Sequence, residues 1–287
     1  MRPPAPPAPP EPPAPPEPPA PPEPPAPSGP SGSPAPPEGP ESPLRQLEQV
    51  HGLAELDARV VDCRACPRLV EWREETSRVK RRAFQDQEYW GRPIPGFGPA
   101  DASLLLVGLA PAAHGGNRTG RIFTGDPSGD LLYASLHRLG LANRPHSVWR
   151  GDGLELAGVR ITDPVRCAPP ENRPTNAERD TCRPWIVREL AYLRPTVRAV
   201  VALGGFAWQS VLPVLAASGW QVPRPKPKFG HGAHAVLPAA DGGAPLHLFG
   251  CFHVSPRNTY TGRLTPAMVD ELLRTAALAA GLEPTAP

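Results

Sequence analysis

Lysine is nearly missing from this sequence. Of 287 residues only Lys80, Lys226 and Lys228 are lysines, and none stands in a motif, which disfavours Schiff-base chemistry through a positioned amine. No apolar run is long enough to span a bilayer, and the opening Met1-Arg2-Pro3-Pro4 leads into no hydrophobic signal core. The expected compartment is therefore the cytosol, with no membrane partner. In a reducing compartment the 5 cysteines are not expected to form disulfides, and metal or cluster ligation becomes the first alternative to plain burial. Neither a Gly-x-Ser-x-Gly elbow nor a His-Glu-x-x-His pair is present, so serine-hydrolase and zincin chemistry have no support.

Proline is the opposite case. There are 46, and half of them, 23, crowd into residues 1–43, which contain almost nothing but Pro, Ala, Glu, Gly and Ser. The hexad EPPAPP starts at Glu11 and Glu17 and the pattern restarts at Glu23, a repeat suited to extended polyproline II and unable to bury a core. Residues 1–43 are read as a disordered Pro-rich tail of a kind that can recruit a protein partner, and residues 44–287 as one domain. The formal charge of +2 divides unevenly. The tail carries Glu11, Glu17, Glu23, Glu38 and Glu41 against Arg2, which leaves +6 on the rest and a lean towards a polyanionic partner.

Apolar spacing predicts a helix over 44–62 leading into Cys63, and further helices over 128–140, 176–194, 205–217 and 265–281. Short β-rich runs at 103–108, 159–164, 197–204 and 246–253 alternate with them. This order predicts an α/β fold: a three-layer α/β/α sandwich around a mainly parallel four-stranded sheet, with ligands at the carboxyl ends of the strands. Residues 221–245, rich in Pro, Gly, Lys and His, read as an exposed insertion.

Cys63 and Cys66 form a C-x-x-C pair, and Cys167 and Cys182 a second pair a hundred residues on. Four thiolates closing on one centre suit tetrahedral zinc and a [4Fe–4S] cubane equally well, and spacing alone leaves both open. Cys251, in an apolar strand, reads as core packing. After the first strand, 108–121 is a small-residue loop. Its Gly115-x4-Gly120 spacing imitates a P-loop, but Arg121-Ile122 stands where Lys and Ser/Thr are required. Asp126, followed by Pro127, has the form of a helix N-cap and also of a carboxylate aimed into a pocket beside Phe123, and the two roles are compatible.

GLAPAAHGGNRTGRIFTGD over 108–126, followed by SGDLL, resembles the first active-site motif of the family-5 (type b) uracil-DNA glycosylases of the uracil-DNA glycosylase superfamily. The order and spacing of the four cysteines agree with this. So do the segment VRCAPPENRP from Val165 and the segment HVSPRNTYTGRL from His253. The likeness covers roughly residues 44–281, and related family-4 enzymes carry an acidic residue where Leu109 stands.

The resemblance implies a monofunctional, single-domain DNA repair hydrolase that flips uracil, and other deaminated bases such as hypoxanthine, out of DNA and leaves an abasic site. It implies catalysis by Asp126, Asn172 and His253, with Phe123, Ala112, His114 and Asn117 binding the substrate. Arg118, Arg121, Ser255, Arg257, Asn258 and Tyr260 would contact DNA. Cys63, Cys66, Cys167 and Cys182 would hold a [4Fe–4S] cluster that turns Arg64, Arg68 and Arg183 towards DNA. The pocket is expected to lack the strict polar selector of narrow-specificity enzymes, and the protein to act as a monomer at a bacterial nucleoid. A non-catalytic iron–sulfur nucleic-acid-binding module is the rival reading, and a zinc-stapled hydrolase a weaker one.

Overall fold

A computed structural model describes residues 42–285. The expected tail therefore lies, except for its last two residues, outside the described residues. The predicted helix over 44–62 is two pieces, α1 (Pro43–Gln46) and α2 (Leu53–Val60), because the extended backbone of Gly52 turns the chain before α2 begins. A charged helix that the apolar pattern did not reveal follows, α3 (Pro67–Val79), with Cys66 at its N-cap and Pro67 in its first turn. Then come β1 (Leu104–Val107), α4 (Gly116–Thr119), α5 (Pro127–Arg138), β2 (Val159–Thr162) and α6 (Asn176–Leu193). They are followed by β3 (Ala199–Leu203), α7 (Gly205–Ala217), β4 (His234–Leu237), β5 (Leu246–Cys251), α8 (Pro256–Tyr260) and α9 (Pro266–Ala279).

The strands form one sheet in the order β2-β1-β3-β5-β4, parallel except for β4, which runs antiparallel to β5. The four expected strands are all present. The fifth lies in the segment read as an exposed insertion, and the reason it was missed is physical. As an edge strand β4 keeps alternate residues in solvent and pairs through its backbone, with the His234 ring stacked 4.3 Å from Phe249, so it lacks the continuous apolar run of a central strand.

The strand period of two divides the core. Leu104 and Leu106 of β1 pack with Leu132 and Leu136 of α5 and Val269 and Leu273 of α9. Leu105 and Val107 face the other way, onto Trp185, Ile186 and Leu190 of α6 and Trp208 and Val211 of α7. Helices thus cover both faces, and the layers are those of an α/β/α sandwich. Among the described residues no helix is long and apolar enough to cross a membrane.

Candidate active site and cysteine centre

The parallel strands end along one edge, and the segments leaving β1, β2 and β5 border a cleft of about 540 Å³, a size suited to a small ligand. Asp126, Phe123, Asn172 and His253 all line it, with Asp163 at the end of β2 and Ser255 and Arg257 ahead of and within α8. Asp126 caps α5: its Oδ1 accepts from the backbone N–H groups of Ser128 at 3.0 Å and Gly129 at 3.2 Å. The other oxygen reaches towards the 109–126 loop, where a Cβ on Gly115 would overlap it. The capping and pocket-facing roles coexist in one carboxylate.

Phe123 holds a left-handed backbone, φ 49°, and its ring lies 6.1 Å from that of His253. Glu171 and Asn172 are left-handed too, so three of the four non-glycine residues with positive φ among the described residues border the cleft. Such strain persists where surrounding contacts over-determine it, and here it aims side chains into one space. Burial pushes the His253 imidazole down to about 4, so the ring is neutral at pH 7 and can donate one N–H without carrying charge.

Asp163 was not anticipated from the sequence. It is 2% exposed, its Oδ1 has no hydrogen-bond partner among the described residues, and it faces Gly108, where a Cβ would overlap that oxygen and crowd the Phe123 ring. The signal that points to it is its position, one residue past a parallel strand, where such sheets place ligands.

The family model of the Uracil DNA glycosylase superfamily matches residues 95–277. A type-5 uracil-DNA glycosylase of Mycobacterium tuberculosis is 58% identical over 231 residues, 80% of this chain and 83% of that protein. One from Thermus thermophilus is 50% identical over 220 residues, 77% of this chain and 94% of the relative. The chain belongs to the uracil DNA glycosylase superfamily. Within it the likeness is to the type-5 branch, since a type-4 uracil-DNA glycosylase of Pyrobaculum aerophilum is 36% identical over only 118 residues, 41% of this chain.

In this superfamily member the remaining sequence-derived site residues divide. Ala112 lines the cleft. His114 does not line it: its Nδ1 meets the Tyr89 hydroxyl at 3.0 Å. Asn117 is wholly buried and donates to the Arg73 carbonyl at 3.2 Å. Arg121 is 4% exposed, paired in a fork with Asp152 and stacked on Phe97. Arg118 donates to the carbonyls of His114 and Gly125 and lies over the Phe84 ring. Asn117, Arg118 and Arg121 therefore brace the loop instead of offering their side chains to a ligand in the cleft. Asn258 donates to the His253 carbonyl at 2.7 Å and holds the strand exit, while Tyr260 is exposed outside the cleft. Arg64, Arg68 and Arg183 are engaged by Glu74, Glu178 and Asp180.

The four cysteines of this superfamily member come from α2's exit, the α3 N-cap, the segment after β2 and the middle of α6, and they border one small cavity with Leu69, Val165 and Trp185. Among the described residues no three His, Cys, Asp or Glu side chains close tightly enough to hold a single ion. Burial, with repulsion from Cys167 and Cys63, pushes the Cys66 thiol up to about 12, and burial pushes Cys167 up to about 11 against the opposing Arg73. Burial raises Cys182 as well. Thiolates here therefore need a cationic centre among them. The buried Arg73 donates to Cys167 Sγ at 2.9 Å and to the Cys63 carbonyl at 3.1 Å, a charge-assisted bond suited to a thiolate. Cys251 lies in the core, as its strand position predicted.

Proposed function

We propose that this protein hydrolyses the N-glycosidic bond of uracil in DNA, leaving an abasic site, and that hypoxanthine and other deaminated bases are further substrates. The convergence of Asp126, Asn172 and His253 with the Phe123 ring on one cleft carries this reading. A stacked base hides its glycosidic bond, so the nucleotide must swing out of the helix at a cost of a few kcal/mol. Phe123 offers a face to the extruded base. As the bond lengthens, positive charge grows on the sugar and negative charge on the base. The Asp126 carboxylate stabilises the first and orients water towards the anomeric carbon, and the neutral His253 donates to a carbonyl of the second. Asn172, held by its strained turn, orients the water or the base. Arg173 and Arg257 at the exposed rim suit the flanking phosphates. One chain supplies the whole cleft, so a monomer suffices, and the site of action is the bacterial chromosome.

The same reading assigns Cys63, Cys66, Cys167 and Cys182 to a [4Fe–4S] cluster. Four thiols border one shared cavity, and the likeness of their order and spacing to the family-5 pattern favours a polynuclear group over one zinc ion. The cluster supplies the positive centre that the thiolates need and pins α2, α3 and α6 to the exit of β2. Hydrolysis of the glycosidic bond requires no electron from it.

The test is anaerobic purification, a visible spectrum with iron and sulfide analysis, and incubation with a labelled uracil-containing duplex followed by alkali. The expected result is a brown protein that yields alkali-cleavable sites. Asp126→Asn, which keeps the N-cap, is expected to be slower by about 100-fold or more. A protein that binds the duplex but leaves every deaminated base in place overturns the glycosylase reading in favour of a binding module. A colourless, iron-free and fully active protein overturns the cluster assignment.

A further inference from the structure

Helix α3 touches both the cysteine centre and the cleft, and the residue that joins them is a buried cation. Arg73 is 2% exposed, and among the described residues its closest carboxylate is Glu74 at 3.9 Å, which is already forked to Arg64. The guanidinium turns instead to the cysteines, with Nη1 donating to Cys167 Sγ at 2.9 Å and to the Cys63 carbonyl at 3.1 Å. A buried guanidinium without an anionic partner is costly, and four thiolates around a metal core leave the net negative charge that offsets it. The main chain of the same residue serves the loop that leaves β1. The Arg73 carbonyl accepts from Asn117 Nδ2 at 3.2 Å and from Ser77 Oγ at 2.7 Å. Asn117 is wholly buried on α4, and its backbone N–H is held at 3.1 Å by the carbonyl of Ala112, a residue of the cleft wall. An apolar path runs one turn earlier on the helix, where Leu69 forms a cluster with Val165 and Cys167 and Ala110 of the cleft wall packs against it.

We propose that Arg73 is a positioning residue that couples the cysteine centre to the 109–126 loop, its guanidinium fixed by the Cys167 sulfur and its carbonyl fixing Asn117. This rests on the cluster and glycosylase readings and gives the cluster a task in base release that needs no electron. Ala112 and Asp126 both lie on that loop and line the cleft, so their placement depends on whether the centre is filled. With the centre empty, the guanidinium loses its counter-charge at a point too buried for water to supply one. Helix α3 then relaxes at the turn that holds Asn117, and the cleft wall loosens with it.

The experiment compares the full chain, purified anaerobically, as wild type, Arg73→Met, Asn117→Ala and the double variant. It reads the reduction potential of the cluster, iron release to a ferrous chelator, hydrogen exchange of the backbone amides in residues 109–126, and single-turnover release of uracil from duplex DNA. Arg73→Met is expected to move the potential to more negative values, because an N–H···S bond favours the reduced state, and to release iron roughly 10- to 100-fold faster. Exchange in the loop should rise, and base release should fall by about 10-fold or more. Asn117→Ala, which touches no cysteine, is expected to keep the wild-type potential and iron release yet to reproduce the faster exchange and slower base release. The double variant should be no worse in the loop than Arg73→Met alone. A wild-type potential and iron release in Arg73→Met, or additive loop effects in the double variant, overturn the proposal. Should Arg73→Met not fold, iron removal takes its place: chelation should loosen the loop of wild type and add nothing in Asn117→Ala, and equal responses overturn the proposal. A brown wild type that releases no base sinks the glycosylase reading alone, because loop exchange still reports the coupling. A colourless, iron-free wild type ends the cluster reading, and this coupling with it.

Discussion

Two carboxyl groups, each almost fully buried, lie on either side of the end of β2, and their surroundings could hardly differ more. Behind the sheet, Glu189 on α6 accepts from Arg160 Nε at 2.6 Å, from Thr162 Oγ1 at 2.6 Å and from Arg166. Burial alone would raise its pKa, but the two guanidiniums overcome that and hold it below the ordinary carboxylate range. Arg160 also grips Asp57 of α2 with bonds of 2.7 Å, so the network ties two helices to the strand. In the cleft floor, Asp163 has no such partners and is driven the other way. Burial by itself thus says little about what an acid does. A buried acid with its partners in place is a staple, and one without them marks where a ligand is awaited.

This contrast can be broken experimentally. The largest effect is expected behind the sheet, where Glu189→Gln removes the carboxylate partner of the buried Arg166 and leaves Arg160 with Asp57 alone. Its unfolding free energy in denaturant titration should fall by about 3–5 kcal/mol. A loss below about 1 kcal/mol would show that the arginines find other partners and that the staple is not one. In the floor the sign reverses. The Asp163 carboxyl keeps its proton in the folded protein up to about 8, against 3.8 in the unfolded chain, so folding takes up a proton between those values. The contribution of Asp163 to stability is then greatest in acid and declines as pH rises through that window. Asp163→Asn lacks the decline and should exceed wild type by about 2 kcal/mol near pH 8, with water in the open cleft screening the rest. Parallel stability profiles for the two proteins would remove Asp163 from its assigned state. The smallest effect belongs to a pair in neither setting. Arg138 forks onto Asp270 with two bonds of 2.8 Å to join α5 and α9 at the surface, and Arg138→Ala should lower the unfolding free energy by no more than about 1 kcal/mol.

How much of this was legible in the sequence depended on which physical signal carried it. The four parallel strands declared themselves as short β-rich runs, and the helices between them through apolar spacing, while the Thr175–Glu178 capping box that starts α6 came from the structure. Helix α3 did not declare itself, because six of its 13 residues are charged and interrupt the apolar spacing. Its buried side includes Arg73, whose guanidinium turns to the Cys167 sulfur and the Cys63 carbonyl instead of contributing an apolar surface. The catalytic candidates were found through their local motifs, and the parallel sheet then explains why residues 126, 172 and 253 meet. The direction of each side chain was not legible. Arg121 looks like a DNA ligand in its motif, and only the fold shows Asp152 waiting 31 residues further on to claim it. Asp163 was invisible for a related reason: a lone acid before a proline reads as a strand end, and nothing local says that no partner will be provided.

Gly108 adds one consequence. One residue past β1, its backbone N–H is held by the Thr162 carbonyl at 2.8 Å, so the Asp163 carboxyl and the Phe123 ring rest against main chain and not against the tip of a movable side chain. Rotamers at the mouth can shift to suit different visitors, but the far wall cannot yield without bending the sheet. The cleft therefore behaves as a fixed gauge with an adjustable entrance, and a molecule is measured at its leading edge before anything at the rim has to agree.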